Sequence, residues 1–159
     1  MFKKNNEWGV SLIELLIIIA IIVLLAGISM IALNSQQIKA RDANRISDIR
    51  QIRTALEFYS SDEAQYPVVE QPIILGQTGS EKLCAKAEGA FVSAGTECKT
   101  ETTYMSKIPK DPLANQKYNY LGSATGYDIT FITEKESSLG PAGTYHAHSQ
   151  VIDAVPGNK

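Results

Sequence analysis

The first part of the chain carries an almost unbroken apolar run. Every residue from Leu15 to Ala26 is apolar, and within residues 10–33 the single charge is Glu14. These 24 residues span roughly 36 Å as a helix, which is enough to cross a bilayer. The pattern therefore predicts a transmembrane segment over residues 10–33, preceded by a polar leader over residues 1–9.

A different pattern follows the apolar run. Apolar residues now recur mostly at three- and four-residue intervals, which predicts an amphipathic helix: Ile38, Ile46, Ile49, Ile52, Leu56 and Tyr59. Opposite charges at helical spacing support it, in the pairs Asp42/Arg45, Arg45/Asp48 and Arg53/Glu57. We predict one helix from Ser11 to Ser61, about 75 Å long, with residues 34–66 as its outer amphipathic half.

Beyond Pro67 the periodicity changes from that of helices to that of strands. Residues 68–103 contain Pro72 and four glycines, which predicts a loop-rich connector. Residues 117–121 and 127–132 alternate and are rich in aromatic and β-branched side chains, which predicts a β-hairpin. Residues 144–152 predict a third strand. The fold class is therefore α+β, with a helical stem and a small antiparallel β-sheet head over residues 67–159.

Charge changes this picture little. The net charge is −2, and all four arginines lie between Arg41 and Arg53. A DNA-contacting face is one interpretation of that cluster, but three of the four arginines have a carboxylate within one helical turn, so paired charges on a packed helix are favoured. Nucleic acid is not an expected partner.

The two cysteines both lie beyond the apolar run. An even number of cysteines in an exported domain favours a disulfide between Cys84 and Cys98 over two reduced thiols. Closing a loop of this size contributes about 3 kcal/mol.

Three stretches, taken in order, resemble one family. Residues 9–16 read GVSLIELL after the polar leader MFKKNNEW, which resembles the type IV pilin and pseudopilin signature. Residues 40–67, ARDANRISDIRQIRTALEFYSSDEAQYP, and residues 104–122, YMSKIPKDPLANQKYNYLG, resemble the helix end and the loop of the type II secretion major pseudopilin. Together the stretches cover a little under half of the chain.

The resemblance implies a processing and assembly site at the N-terminus. A prepilin peptidase would cut between Gly9 and Val10 and methylate the new N-terminus. Glu14 would then pair with the N-terminal ammonium of a neighbouring subunit, which recovers part of the cost of an apolar carboxylate. The alternative is that Glu14 is stabilised only by the dipole of its own helix N-terminus.

The resemblance also implies partners and a location. The expected partners are the membrane, copies of the chain and minor pilins in a helical filament, and a secretion or pilus assembly platform. The chain would cross the inner membrane once, with its N-terminus in the cytoplasm and its head outside, and would enter an extracytoplasmic filament after assembly.

Two groups of residues are candidates for a metal site. Secretion pseudopilins bind calcium through carboxylates of a C-terminal loop, and Glu134 and Glu136 are the candidates here; solvated surface acids are the favoured interpretation, so no cofactor is expected. His146 and His148 alternate onto one strand face and suit a transition metal, but without a third ligand at a recognisable spacing they predict ordinary strand residues.

No catalytic motif is present in the sequence, so we predict a structural protein and not an enzyme. The first hypothesis is a pseudopilus subunit for protein export. A surface type IV pilin for adhesion, motility or DNA uptake is the alternative within the family. An uncleaved single-pass protein with a ligand-binding outer domain is the alternative of another class.

Overall fold

The computed structural model describes residues 11–98 and 102–154, with the backbone alone at residues 28–32. One α-helix and eight strands are described, together with a 3-10 turn at Lys86–Glu88. The elements are α1 (Leu12–Glu63), β1 (Val69–Ile74), β2 (Lys82–Cys84), β3 (Phe91–Val92), β4 (Thr103–Met105), β5 (Asn119–Ser123), β6 (Gly126–Thr133), β7 (Gly143–Ala147) and β8 (Ile152–Ala154). The fold is α+β, as the sequence predicts.

The chain divides into two compact units, Met1–Gln37 and Ile38–Lys159, and α1 contributes to both. In the first unit every described helical side chain except Ser35 is exposed, with Leu12 at 80% and Val23 at 71% of their full accessibility. Within the described part of the chain, no helix is long and apolar enough to be assigned as a membrane span. The predicted span includes Val10 and the side chains of residues 28–32, which are not among those that the structure describes. The membrane span therefore stays a prediction.

The second unit is built on a five-stranded antiparallel sheet with the order β1-β5-β6-β7-β8. The predicted hairpin is confirmed as β5 and β6, which pair from Asn119↔Thr130 to Ser123↔Gly126. The predicted third strand is two strands, β7 and β8. The backbone turns between them, where the His148 N–H donates to the Val151 carbonyl at 2.8 Å.

The prediction of a loop-rich connector was wrong in part. It contains β1, which forms one edge of the main sheet, and also β2 and β3, which pair with β4 in a second sheet of order β3-β2-β4. Strands of two or three residues are too short to give an alternation signal. Pro72 argues against a strand in the sequence of β1, but it is tolerated there because an edge strand leaves half of its backbone groups unpaired.

The core of the second unit lies between α1 and the inner face of the main sheet. The predicted apolar stripe is buried, with Ile49, Ile52 and Leu56 at most 1% exposed. Opposite it lie the inward side chains of the sheet and of the segment before it: Tyr118, Tyr120, Ile129, Phe131 and Tyr145. Burying a side chain of this size contributes about 1.5–3 kcal/mol, so this contact fixes α1 to the sheet.

The helix ends two residues later than predicted. Ala64, just beyond Glu63, has a φ of 56°, the left-handed conformation that commonly terminates helices. Pro67 follows, and its carbonyl accepts a 2.7 Å hydrogen bond from the hydroxyl of Tyr120. That contact requires Gly122 on β5, because a Cβ there would lie 2.3 Å from both the Pro67 oxygen and the Tyr120 hydroxyl.

Candidate functional site

The predicted assembly residue lies in the first turn of α1. Glu14 is exposed, and Leu12, Ile13, Leu15 and Leu16 around it are exposed as well. Within residues 11–98 and 102–154, no side chain pairs with its carboxylate. An anion in the first turn of a helix is favoured by the helix dipole, so both interpretations of Glu14 stay open on this geometry. Gly9 and Val10, the predicted processing residues, lie outside the described residues.

The most concentrated charge of the second unit surrounds Arg45, which is fully buried. Its Nε and Nη2 donate to the two carboxylate oxygens of Asp111 at 2.8 and 3.0 Å. Its Nη1 donates to Asp42 at 2.6 Å and to Glu134 at 2.7 Å. Burial lowers the pKa of Arg45, but hydrogen bonds to the three carboxylates outweigh it and the net pKa is raised. One guanidinium thus joins α1 to two distant segments of the chain.

Arg41 extends this network by one turn of the helix. Its Nε and Nη2 donate to the two oxygens of Glu134 at 2.8 and 2.6 Å. The hydrogen bond from Arg41, reinforced by Arg45, lowers the pKa of Glu134 from 4.5 to about 2. Asp42 in turn accepts from the backbone N–H groups of Glu134 and Lys135 at 2.9–3.2 Å. These groups fasten the chain just after β6 to the helix, and we call Arg41, Asp42, Arg45, Asp111 and Glu134 the arginine network.

Helical spacing predicted one of the three ion pairs correctly. Arg45 and Asp42 form the expected i,i+3 pair. Asp48 instead accepts a hydrogen bond from the Tyr118 hydroxyl at 3.0 Å. Arg53 donates to the Ser149 carbonyl at 2.9 Å, and Glu57 accepts from the hydroxyls of Tyr66 and Tyr127. The predicted pairs Arg45/Asp48 and Arg53/Glu57 are therefore replaced by contacts with the rest of the second unit.

The calcium candidates are placed differently from each other. Both carboxylate oxygens of Glu134 already accept hydrogen bonds from arginines, whereas Glu136 is exposed. Across the described residues, one group of three potential ligands converges within 4.8 Å, namely Cys84, Glu88 and Cys98. The two sulfurs of that group are bonded to each other. The prediction that Glu134 and Glu136 are surface acids without a cofactor is therefore not tested, and neither is calcium binding, its alternative.

The cysteine pair closes the loop around the small sheet. Cys84 ends β2, Cys98 lies in the segment after β3, and a disulfide joins them with 5.8 Å between the Cα atoms. Cys84 is completely buried. The bridge therefore holds the segment after β3 against β2, where otherwise a ladder of only two residue pairs holds β2 to β3.

A surface groove of about 500 Å³ lies between α1 and β4. It is lined by apolar and uncharged side chains with one cation, including Ile46, Arg50, Phe58, Tyr104 and Met105. No carboxylate, histidine or cysteine lines this groove, so it offers no acid–base pair.

Comparison with known families decides what class of protein this arrangement belongs to. The family model for type II secretion system protein G matches residues 32–147, which include the outer part of α1, the arginine network and strands β1 to β7. The chain belongs to this family. The predicted resemblance to the type II secretion major pseudopilin is thereby confirmed.

Similar proteins that bear this family name match the chain over most of their length. The type II secretion system core protein G of Vibrio cholerae is 28% identical over 121 residues, 76% of this chain and 75% of its own. That of Pseudomonas aeruginosa is 28% identical over 123 residues, 77% and 79% of the two chains. That of Klebsiella pneumoniae is 24% identical over 155 residues, 98% and 99% of the two chains. No solved structure matches the chain.

The described geometry positions side chains for packing and for charge pairing within the second unit. The residues that the sequence singled out for processing, Gly9 and Val10, lie before the stretch that the family model matches, and so does Glu14.

Proposed function

We propose that this member of the protein G family is the structural subunit of a type II secretion pseudopilus, anchored and then assembled through its N-terminal helix. The observation that carries the proposal is the apolar surface of α1 in the first unit. Its leucines and isoleucines outside residues 28–32 are about half or more exposed, from Ile18 at 47% to Leu12 at 80%. A helix that is apolar on all sides requires an apolar environment from lipid or from other helices.

The proposal assigns two successive environments to this helix. Before assembly the helix lies in the inner membrane with the second unit outside the cytoplasm. After assembly the same surface packs against the helices of neighbouring copies and of minor pseudopilins. Each environment removes apolar area from water, at about 25 cal/mol per Å², so a transfer from one to the other exposes little of the helix to water.

Processing and pairing explain the position of Glu14. A cut between Gly9 and Val10 by a prepilin peptidase creates a new ammonium group four residues before Glu14 in the sequence. Within the filament, that ammonium of one subunit pairs with Glu14 of the next. The absence of a partner for Glu14 among residues 11–98 and 102–154 supports this role, because an unpaired carboxylate in an apolar environment is costly.

The test of class is the mature N-terminus. The full chain is co-expressed with a prepilin peptidase, and intact mass and N-terminal sequencing are measured with an inactive peptidase as the control. We expect a methylated N-terminus at Val10. An intact Met1 in the presence of the active enzyme would overturn the proposal and favour an uncleaved single-pass protein with a ligand-binding outer domain.

The test of assembly is a matched pair of carboxylate variants on α1. Glu14→Gln removes the charge in the apolar part, and Asp62→Asn removes an exposed charge near the other end of the helix. We expect Glu14→Gln to be cleaved normally but to lose filaments in sheared fractions and electron micrographs, whereas Asp62→Asn assembles. Normal assembly of Glu14→Gln would leave the helix dipole as the reason for this glutamate.

A further inference from the structure

Both histidines of the chain lie on the outer face of the main sheet, away from the core. His146 is in β7, pairs with Thr130 of β6 on one side, and pairs with Asp153 of β8 on the other. His148 lies just beyond the end of β7, and its ring stacks alongside that of His146. Asp128, two residues from Thr130 on β6, shares that face as well. The sheet thus brings two imidazoles and two carboxylates to one face, from residues up to 25 positions apart in the sequence.

Hydrogen bonds define the protonation of both rings. The Nδ1 of His146 lies 2.7 Å from a carboxylate oxygen of Asp128, and the Nδ1 of His148 lies 3.1 Å from the carbonyl oxygen of Tyr127. A carboxylate and a carbonyl only accept, so each Nδ1 is the donor. In the neutral rings the lone pair is therefore on Nε2. Metal-binding histidines are oriented in this way, by donating the other ring N–H to a carboxylate or a carbonyl.

A third donor lies near Nε2 of His148. A carboxylate oxygen of Asp153 is 3.6 Å from Nε2 of His148. The two rings are nearly parallel, with 12° between their planes and 6.2 Å between their centroids. As placed, the three donors do not all lie within 4.8 Å of one another, so binding must draw them together. Asp153 is 57% exposed, which leaves its carboxylate room to rotate while the ring of His148 keeps its hydrogen bond to Tyr127.

We propose that this face binds a divalent transition metal through Nε2 of His146, Nε2 of His148 and the carboxylate of Asp153. Two imidazoles and a carboxylate suit zinc, copper or nickel better than calcium, which prefers oxygen ligands. Water completes the coordination, because the face is open to solvent. The sequence pattern lacked a third ligand, and the pairing of β7 with β8 supplies it. This proposal is independent of the role in a pseudopilus.

The test is titration with zinc alone. The full chain in detergent micelles, with its disulfide intact, is titrated with Zn²⁺ by calorimetry at neutral pH and in competition with a chromophoric chelator. We expect saturable binding of one ion per chain. We expect His146→Asn and His148→Asn each to weaken it at least tenfold, which is the lower end of what supporting residues of metal sites contribute. Asp153→Asn weakens it less, because water replaces the lost oxygen.

The control removes a carboxylate from the opposite edge of the same sheet. Glu70 is exposed on β1, and Glu70→Gln should bind zinc as the unaltered chain does. Near-UV circular dichroism of the buried tyrosines establishes that each variant is folded. Absence of saturable binding, or equal affinity in the two histidine variants and the unaltered chain, overturns the proposal. Either result leaves processing after Gly9 and filament assembly unaffected.

Asp128 acts here as a positioning residue, because it contacts the ring and not the metal. Asp128→Ala should weaken zinc binding about 10- to 100-fold. Ring ¹⁵N chemical shifts of His146 should also change from the Nδ1–H form towards a mixture of the two neutral forms. A residue with a purely structural role would leave those shifts of the folded chain unchanged. Unchanged shifts together with unchanged affinity would remove Asp128 from the site.

Discussion

The same residue type has opposite surroundings in the two units to which α1 contributes. Ile18, in the first unit, is 47% exposed, whereas Ile52, in the second, is 1% exposed. Both lie in one helix and neither interrupts it. Helix formation therefore does not distinguish the two units. What distinguishes them is whether the chain itself covers the apolar surface that the helix presents.

Charged residues show the same contrast. Arg45 is completely buried and binds three carboxylates of its own chain. Glu14 is exposed among apolar side chains, and no residue within 11–98 and 102–154 pairs with it. The second unit thus covers the apolar stripe of α1 and pairs the buried charges around Arg45 within itself. The described apolar side chains of the first unit and Glu14 lack such contacts, and the proposed membrane and filament environments would supply them.

Removing the central arginine should cause the largest loss of stability. In Arg45→Ala the carboxylates of Asp111 and Asp42, 1% and 2% exposed, lose their partner, and uncompensated buried charges cost about 3–5 kcal/mol. The free energy of unfolding is measured in urea on the full chain in detergent, by near-UV circular dichroism. Arg50→Ala, an exposed site on the same helix, should change it by less than about 0.5 kcal/mol. Equal effects of the two variants would refute the role of the arginine network.

A pair of isoleucine variants tests the contrast between the units directly. Ile52→Ala creates a cavity against the sheet and should lower the free energy of unfolding of the second unit by about 2–5 kcal/mol. Ile18→Ala should leave that value within about 0.5 kcal/mol, since its side chain contributes nothing to this core. The same urea titration measures both. A large loss in Ile18→Ala would show that the first unit supports the core of the second.

Opening the disulfide should have a smaller effect. The double variant Cys84→Ser and Cys98→Ser frees a loop with a sequence separation of 14, which should lower the free energy of unfolding by about 3 kcal/mol. Reduction of the unaltered chain provides the matched measurement, because it opens the same loop without changing the buried atoms. A reduced chain as stable as the oxidised one would mean that the two short strands β2 and β3 hold this segment by themselves.

The helix and the main hairpin were predictable because their patterns are long. The stripe from Ile46 to Tyr59 repeats over several turns, and the strand from Tyr127 to Ile132 alternates over six residues, so each signal exceeds chance. The second sheet gave no such signal, because β2, β3 and β4 have three residues or fewer. Its formation depends on pairing between distant segments and on the disulfide, which periodicity does not report.

The candidate sites divide in the same way. The pair Asp42/Arg45 was predictable, since its spacing is local to the helix. Asp111 and Glu134 are 66 and 89 residues from Arg45, and no local rule connects them to it. Likewise, β7 was recognisable as a strand, but its register with β8 decides that Asp153 faces His146. Contacts between distant segments thus add Asp111 and Glu134 to the arginine network and Asp153 to the histidine pair, and local sequence patterns do not reveal such contacts.

The smallest expected effect concerns how the arginine network responds to acid. The pKa of Glu134 is lowered from 4.5 to about 2, first by its hydrogen bond from Arg41. Above pH 4.5, the pKa of this carboxyl group in the unfolded chain, the group is ionised in both the folded and the unfolded chain. Its stabilisation of the fold is therefore complete above that pH. As the pH falls from about 4.5 towards 2, the unfolded chain takes up the proton first and the stabilisation is lost.

Glu134→Gln should therefore lower the free energy of unfolding by about 1–2 kcal/mol at neutral pH, and should flatten its decline between about pH 4.5 and pH 2. Urea midpoints over that range provide the measurement, and Glu136→Gln, an exposed carboxylate two residues away, is the matched control. If both variants keep the same acid dependence as the unaltered chain, then Arg41 and Arg45 hold Glu134 too weakly to distinguish it from a solvated acid. The second unit would then be stabilised by its apolar core and by the carboxylates buried around Arg45, and Glu134 would add nothing to it.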